Sequence, residues 1–335
     1  MSWRGAWIGV ALLSLGCGGA STTPSSAPTP SPTLSPVPNA SRLASDYTNE
    51  VVATMQANSI NRDRINWTDF RGQVFQQAQG AQTIRDLFPA ISLALALLDD
   101  HHSFYQAAGG GGLGNPRAPQ CSASPVTAPV VPADVGYARV EGFSSAVPGA
   151  DREFADAIQA QIRSRDAANL VGWIVDVRGN RGGNMWPMVA GVGAVLGDGV
   201  AGYFVPPSGA PTAWSYRAGA SLNGTTEIVR TTSTYVLLTQ APRVAVLTDN
   251  FVASSGEAVV VSFRARANTR SFGATTCGQS TANAGFRLSD GATLQLTTAL
   301  MADRNGTTYG GPIAPDEVLS DADVVPRAIG WLRGG

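Results

Sequence analysis

The chain has 335 residues, 44% of them hydrophobic and 14% charged, enough length and apolar content for one large core or two moderate ones. Lys plus Arg number 23 against 24 Asp plus Glu, and this balance, with no basic tail or patch, excludes the electrostatic profile of a nucleic-acid binder. The three cysteines, Cys17, Cys121 and Cys277, form no CxxC pair or Cys/His cluster, which argues against structural zinc.

Arg4 followed by an apolar run from Ala6 to Leu15 reads as a secretory signal over residues 1–16, too short for an ordinary membrane span. Cys17 directly after this run resembles the lipobox cysteine of bacterial lipoproteins. That resemblance implies acylation of Cys17, a lipid membrane as partner, and a periplasmic-side location, with Gly18 pointing to the outer membrane. A plain signal peptide cleaved nearby is the alternative. Residues 17–40 read as an extended tether, since 21–39 are rich in Ser, Thr and Pro and nearly lack large side chains. An exported chain permits a Cys121–Cys277 disulfide, though two free thiols fit the sequence equally well.

Residues 41–105 read as a helical subdomain, with Phe88–Leu98 apolar on most of its surface. This segment runs into Asp99-Asp100-His101-His102-Ser103, which holds both histidines of the protein. Residues 106–133 are a glycine- and proline-rich loop. From Asp134 to about residue 330 the texture changes. Strands are expected at Val135–Val140, Trp173–Val177, Tyr235–Thr239 and Val244–Thr248, with helices at Phe154–Ile162 and Ser254–Arg266. Phe286–Leu300 alternates about Ser289-Asp290-Gly291 as a hairpin does. Strands alternating with helices predict an α/β core.

Ala253-Ser254-Ser255-Gly256-Glu257, entering a helix from a short turn, places a serine beside free backbone N–H groups suited to a developing oxyanion. The same residues also read as a plain helix cap, with Glu257 completing a capping box. Five ordered blocks favour the first reading: Trp67, the Leu98–Ser103 segment, Val175-Asp176-Val177-Arg178-Gly179-Asn180-Arg181-Gly182-Gly183, Phe251–Glu257, and the closing Ser289-Asp290-Gly291 with Gly306–Asp316. Together they resemble the tail-specific (carboxyl-terminal processing) peptidases of family S41. Within it they are most similar to the PDZ-less branch of interphotoreceptor retinoid-binding protein and the tricorn protease core.

The resemblance implies a ClpP/crotonase-like α/β fold and endopeptidase action on exposed, poorly structured polypeptide near C-termini, with no cofactor. It makes Ser254 the nucleophile, with Ser255 as competitor should the turn shift by one residue. The lysine expected in the Ser-Lys branch, twenty-five residues after the nucleophile, is Gln279 here, and the chain has no lysine at all. A Ser-Lys dyad is therefore excluded, and His102 is the expected base, with His101 and Gln279 as auxiliary candidates. The oxyanion donors would be the N–H of Ser255 with that of Gly182 or Gly183. No carboxylate matches the family's orienting acid. Asp99, Asp100, Asp303 and Asp316 are substitutes with equally good structural roles, and Glu257 reads as a local cap. A catalytically weak or inactive lipoprotein that binds peptides or apolar ligands on this scaffold is the competing expectation, and an ester hydrolase is a third. No metal site is expected, because the two histidines lack a third ligand.

Overall fold

The structure is a computed structural model that describes residues 36–122 and 126–335. The signal and tether expectations, including Cys17, therefore lie mostly outside the described residues. The chain opens with three helices, α1 (Arg42–Asn58), α2 (Trp67–Gln77) and α3 (Phe88–Leu97). Two short strands follow, β1 (Phe104–Gln106) and β2 (Gly112–Leu113). Next come β3 (Val135–Arg139), α4 (Ala150–Arg165), β4 (Gly172–Asp176) and α5 (Met185–Leu196). A meander is then formed by β5 (Gly199–Val205), β6 (Thr212–Arg217), β7 (Ala220–Asn223) and β8 (Thr226–Arg230). The remainder is β9 (Val244–Thr248), α6 (Ser255–Phe263), β10 (Thr269–Gly273), β11 (Thr281–Arg287), β12 (Thr293–Asp303), β13 (Glu317–Val318) and α7 (Val324–Leu332).

Two sheets organise these elements. A five-stranded sheet runs in the order β13-β10-β9-β4-β3 with every neighbouring pair parallel. Because both faces are covered at its centre, strands β4 and β9 are buried along their whole length and largely apolar rather than alternating with polar residues. Val244 and Val246 of β9 join Trp173 and Val175 of β4 beneath α4, α5 and α6. Ala245, Leu247 and Ile174 point the other way, onto Val324, Ala328 and Leu332 of α7.

The second sheet has eight strands in the order β2-β1-β12-β5-β6-β7-β8, with β11 also paired to β12. All of its pairs are antiparallel. Trp214, Tyr216 and Met301 press it onto α5 and α6, so these two helices are packed against both sheets. Leu294 and Leu296 of β12 cover the N-terminal helices through Tyr47, Met55 and Leu95, a cluster that already includes Val37.

Most elements follow the expected texture, with one correction. Tyr235–Thr239 is not a strand. No neighbouring strand is available to it, and it is pinned instead by side chains. Asp166 accepts hydrogen bonds from the Tyr235 hydroxyl and from the Leu238 N–H, while Gln159 Nε2 donates to the Ser233 carbonyl. Among the described residues, no helix is long and apolar enough to cross a membrane. Cys121 and Cys277 are joined by a disulfide, with Cα atoms 5.6 Å apart.

Candidate active site

The strand-to-turn segment after β4 is built around a buried ion pair. Arg178 forks onto Asp176 with Nε–Oδ1 2.9 Å and Nη2–Oδ2 2.7 Å, and the Tyr137 hydroxyl adds a third donor at 2.9 Å. These bonds satisfy a carboxylate with no solvent exposure and hold the turn that follows. Asn180 then ties three segments together. Its Nδ2 donates to the Val140 carbonyl, its Oδ1 accepts from the Gly182 N–H at 2.8 Å, and its own carbonyl accepts from the Ala253 N–H at 3.0 Å.

This last bond brings the Ser254 turn against the glycine loop. Gly182, at φ 101°, lies so close that a Cβ there would stand 2.8 Å from the Ala253 oxygen, the Ser254 Cβ and the Ser255 nitrogen. Ser254 is the N-cap of α6 and holds φ 53° and ψ −118°, a conformation that L-residues rarely adopt. The Ser255 hydroxyl is committed elsewhere, donating to the Gly183 carbonyl at 2.6 Å. The peptide N–H groups of Gly183 and Ser255 make no hydrogen bond among the described residues. The Gly182 N–H, by contrast, is already spent on Asn180.

Glu257 does more than cap α6. Its buried carboxylate accepts from the Ser254 N–H at 3.0 Å, and also from the Thr276 hydroxyl and the N–H groups of Gly278 and Gln279 at 2.5, 2.9 and 2.7 Å. One side chain thus locks the serine turn to the 276–279 loop. Burial raises its pKa to about 7, against the lowering effect of those four donors.

His102 arrives from the connection between α3 and β1. Asp100 shapes that turn by accepting from the N–H groups of His102 and Ser103, at 3.0 and 2.8 Å. The Asn283 side chain holds the His102 carbonyl. The imidazole is almost fully buried, and this desolvation lowers its pKa to about 4, so it is neutral at physiological pH. Its Nδ1 lies 2.7 Å from the Thr281 hydroxyl.

His101 is exposed, at φ 62°, and its carbonyl receives a long contact of 3.4 Å from Gln279 Nε2. None of the carboxylates considered from sequence bonds to the His102 ring. Asp303 accepts from Tyr309 and the 305–307 turn, and Asp316 from Ser271 and Arg264. Thr281 went unnoticed in the sequence, and nothing there marks it, because a threonine opening a strand is an ordinary β-former.

Ser254, Ser255, Gly183, His101, His102, Gln279 and Thr281 all border one cleft of about 1250 Å³. No hydrogen bond joins the Ser254 and His102 side chains among the described residues. The lining also includes the apolar side chains of Leu113, Met185, Trp186, Phe204 and Met301. The exposed Arg181 also lines the cleft, and no carboxylate does among the described residues.

The sequence pattern of Peptidase family S41 matches residues 134–319, more than half of the chain. That span contains Ser254 and leaves His102 outside it. Over 295 residues the chain is 28% identical to a nisin-resistance protein of Lactococcus lactis subsp. lactis, covering 86% of each. Its fold is similar to that of a lipoprotein from Streptococcus agalactiae, with TM-score 0.69 and 21% identity over 88% of this chain and 97% of that one. A photosystem II D1 C-terminal processing protease is also similar, at TM-score 0.52 and 15% identity, over 84% of this chain and 96% of the other.

Proposed function

The chain belongs to peptidase family S41, and from that premise we propose that it is a serine endopeptidase acting on exposed, poorly structured polypeptide near C-termini. The observation that carries this reading is the strained Ser254 at the start of α6, beside two unengaged N–H groups and in the same cleft as a buried, neutral histidine. In this mechanism the Ser254 Oγ attacks the scissile carbonyl carbon while His102 takes its proton. The carbonyl oxygen becomes an oxyanion received by the N–H groups of Ser255 and Gly183. His102 then returns the proton to the leaving amine as the C–N bond breaks, leaving an acyl-Ser254 ester. Water, deprotonated by the same imidazole, hydrolyses that ester. Ser254 is favoured over Ser255 because the Ser255 hydroxyl already donates to Gly183.

The substrate class follows from the cleft lining. Its apolar lining residues, among them Trp186, Phe204 and Met301, suit a hydrophobic side chain of the substrate. Arg181, with no competing carboxylate, suits the free carboxylate of a chain end. In the same reading the core is ClpP/crotonase-like and the protein is held at the cell envelope through acylated Cys17. The lipoprotein description of the Streptococcus agalactiae relative supports the anchor.

The test is a fluorophosphonate probe on the protein lacking its first 35 residues, with mass mapping of the adduct. Labelling at Ser254 that is lost in Ser254→Ala and His102→Ala is the expected result. Apolar peptides with free and with amidated C-termini, and nisin itself, form the first substrate panel. An unlabelled but folded protein would overturn the hydrolase reading in favour of a peptide-binding scaffold.

A further inference from the structure

A serine-histidine pair works only if the imidazole is held by one nitrogen so that the other faces the nucleophile. Here the holding group is not a carboxylate. The His102 Nδ1 meets the Thr281 Oγ1 at 2.7 Å, and Thr281 is itself buried at the first position of β11. Backbone bonds fix the threonine from both sides, through its register with Leu300 of β12 and its N–H to the Gln279 carbonyl at 2.8 Å. The histidine backbone is fixed independently by Asp100 and Asn283. Both partners of the contact are therefore placed by the fold rather than by each other.

Resting on the hydrolase reading above, we propose that Thr281 is the positioning residue of this site. Its hydroxyl stands where an orienting acid would, holding His102 by Nδ1 and accepting the Nδ1–H of the imidazolium formed during acyl transfer. A hydroxyl both donates and accepts, so it satisfies Nδ1 whether that nitrogen is protonated or not. It supplies a dipole instead of a full charge, and so steadies the ring while stabilising the imidazolium less than a carboxylate would. The charged groups around the ring are consistent with this. Burial is the whole cause of its depressed basicity, Glu257 is occupied by four donors of its own, and Arg181 is an exposed residue of the cleft lining.

The experiment compares Thr281→Val, Thr281→Ser and Thr281→Asp with wild type by probe-labelling rate against pH and by ¹⁵N NMR titration of the imidazoles. With only two histidines in the chain, a His101→Asn variant assigns the resonances. Loss of the hydroxyl in Thr281→Val is expected to slow labelling about 10- to 100-fold, the range for a hydrogen bond to a charged group. Thr281→Ser should restore most of the rate. Thr281→Asp should raise the His102 pKa and move the acid limb of the profile to higher pH by about one unit or more. Equal rates in the valine and serine variants, or an unmoved His102 titration in Thr281→Asp, would overturn the proposal. Should wild type itself resist the probe, the hydrolase reading fails. The titration still decides whether Thr281 governs the His102 ring.

Discussion

Ser254 sits in a conformation that costs on the order of 1–3 kcal/mol, and its surroundings impose it. Its N–H is drawn to Glu257, the preceding residue is bonded to the Asn180 carbonyl, and Gly182 presses on the turn from outside. Gly182 is thus a contact that only a glycine makes, both for its φ of 101° and for the missing Cβ. In Gly182→Ala the added methyl meets backbone on the serine turn that has nowhere to shift. We expect a stability loss on the order of 1–3 kcal/mol by denaturant unfolding, and a disproportionate fall in Ser254 labelling, tenfold or more, because sub-ångström placement of reacting groups dominates the rate. Labelling that fell no further than stability explains would argue against the close approach.

His102 yields a second expectation at this scale. A general base must be neutral, and burial lowers this imidazole from the ordinary 6.5 to about 4. The acid limb of kcat/KM should therefore lie near pH 4 rather than near 6.5, followed alongside circular dichroism to confirm that the chain stays folded. A limb near 6.5 would mean that the imidazole is solvated during turnover.

Among elements, the 276–279 loop binds the site together, and two unlike devices hold it. Glu257 bonds to its hydroxyl and amides, and the Cys121–Cys277 disulfide ties it to the glycine- and proline-rich loop 156 residues earlier. Closing so long a loop restricts the unfolded chain, so replacing both cysteines with serine should cost about 2–5 kcal/mol. Because Glu257 and the Cys277 N–H to Val252 bond remain, labelling of Ser254 should survive at temperatures below the lowered Tm. Loss of labelling in the folded double variant would instead make the disulfide part of the site's assembly.

The elements also show where sequence pattern carries information. The Phe88–Leu97 helix, the β4 and β9 strands and the β11–β12 hairpin are visible as runs and alternations because each buries a face whose period matches its geometry. The Tyr235–Thr239 segment has the same apolar look but no strand to pair with, a property of the tertiary neighbourhood and not of the segment. The serine turn and the glycine loop were legible because their chemistry demands particular residue types. The pairing of the cysteines and the partner of His102 were not, since both depend on which distant strands the fold sets side by side.

At the scale of the molecule, the site lies where two structural systems meet. The serine turn and glycine loop belong to the parallel sheet, while His102 and Thr281 enter through the connections of the antiparallel sheet. His102 on one side and Glu257 on the other are buried titratable groups that respond to pH in opposite directions. His102 has a folded pKa of about 4, below its ordinary 6.5, so its contribution to stability is complete above 6.5 and is lost as pH falls toward 4. Glu257 has a folded pKa of about 7, above its ordinary 4.5, so its contribution is complete below 4.5 and is lost as pH rises through 7. Linkage makes each effect about 2 kcal/mol between pH 5 and 7.5. The two nearly cancel, and together they add little slope to the wild-type stability curve in that window. His102→Gln removes one side of the balance, so its stability should fall by about 2 kcal/mol as pH rises from 5 to 7.5, the Glu257 effect being left uncompensated. With Glu257 titrating near 7, Glu257→Gln should show the converse, its stability climbing with pH by about 2 kcal/mol as the His102 contribution emerges uncompensated. Urea unfolding of the three proteins at pH 5, 6.25 and 7.5 reads this directly. Parallel curves for all three would mean that neither group is desolvated, and that the two sheets do not close over the site as tightly as the geometry requires.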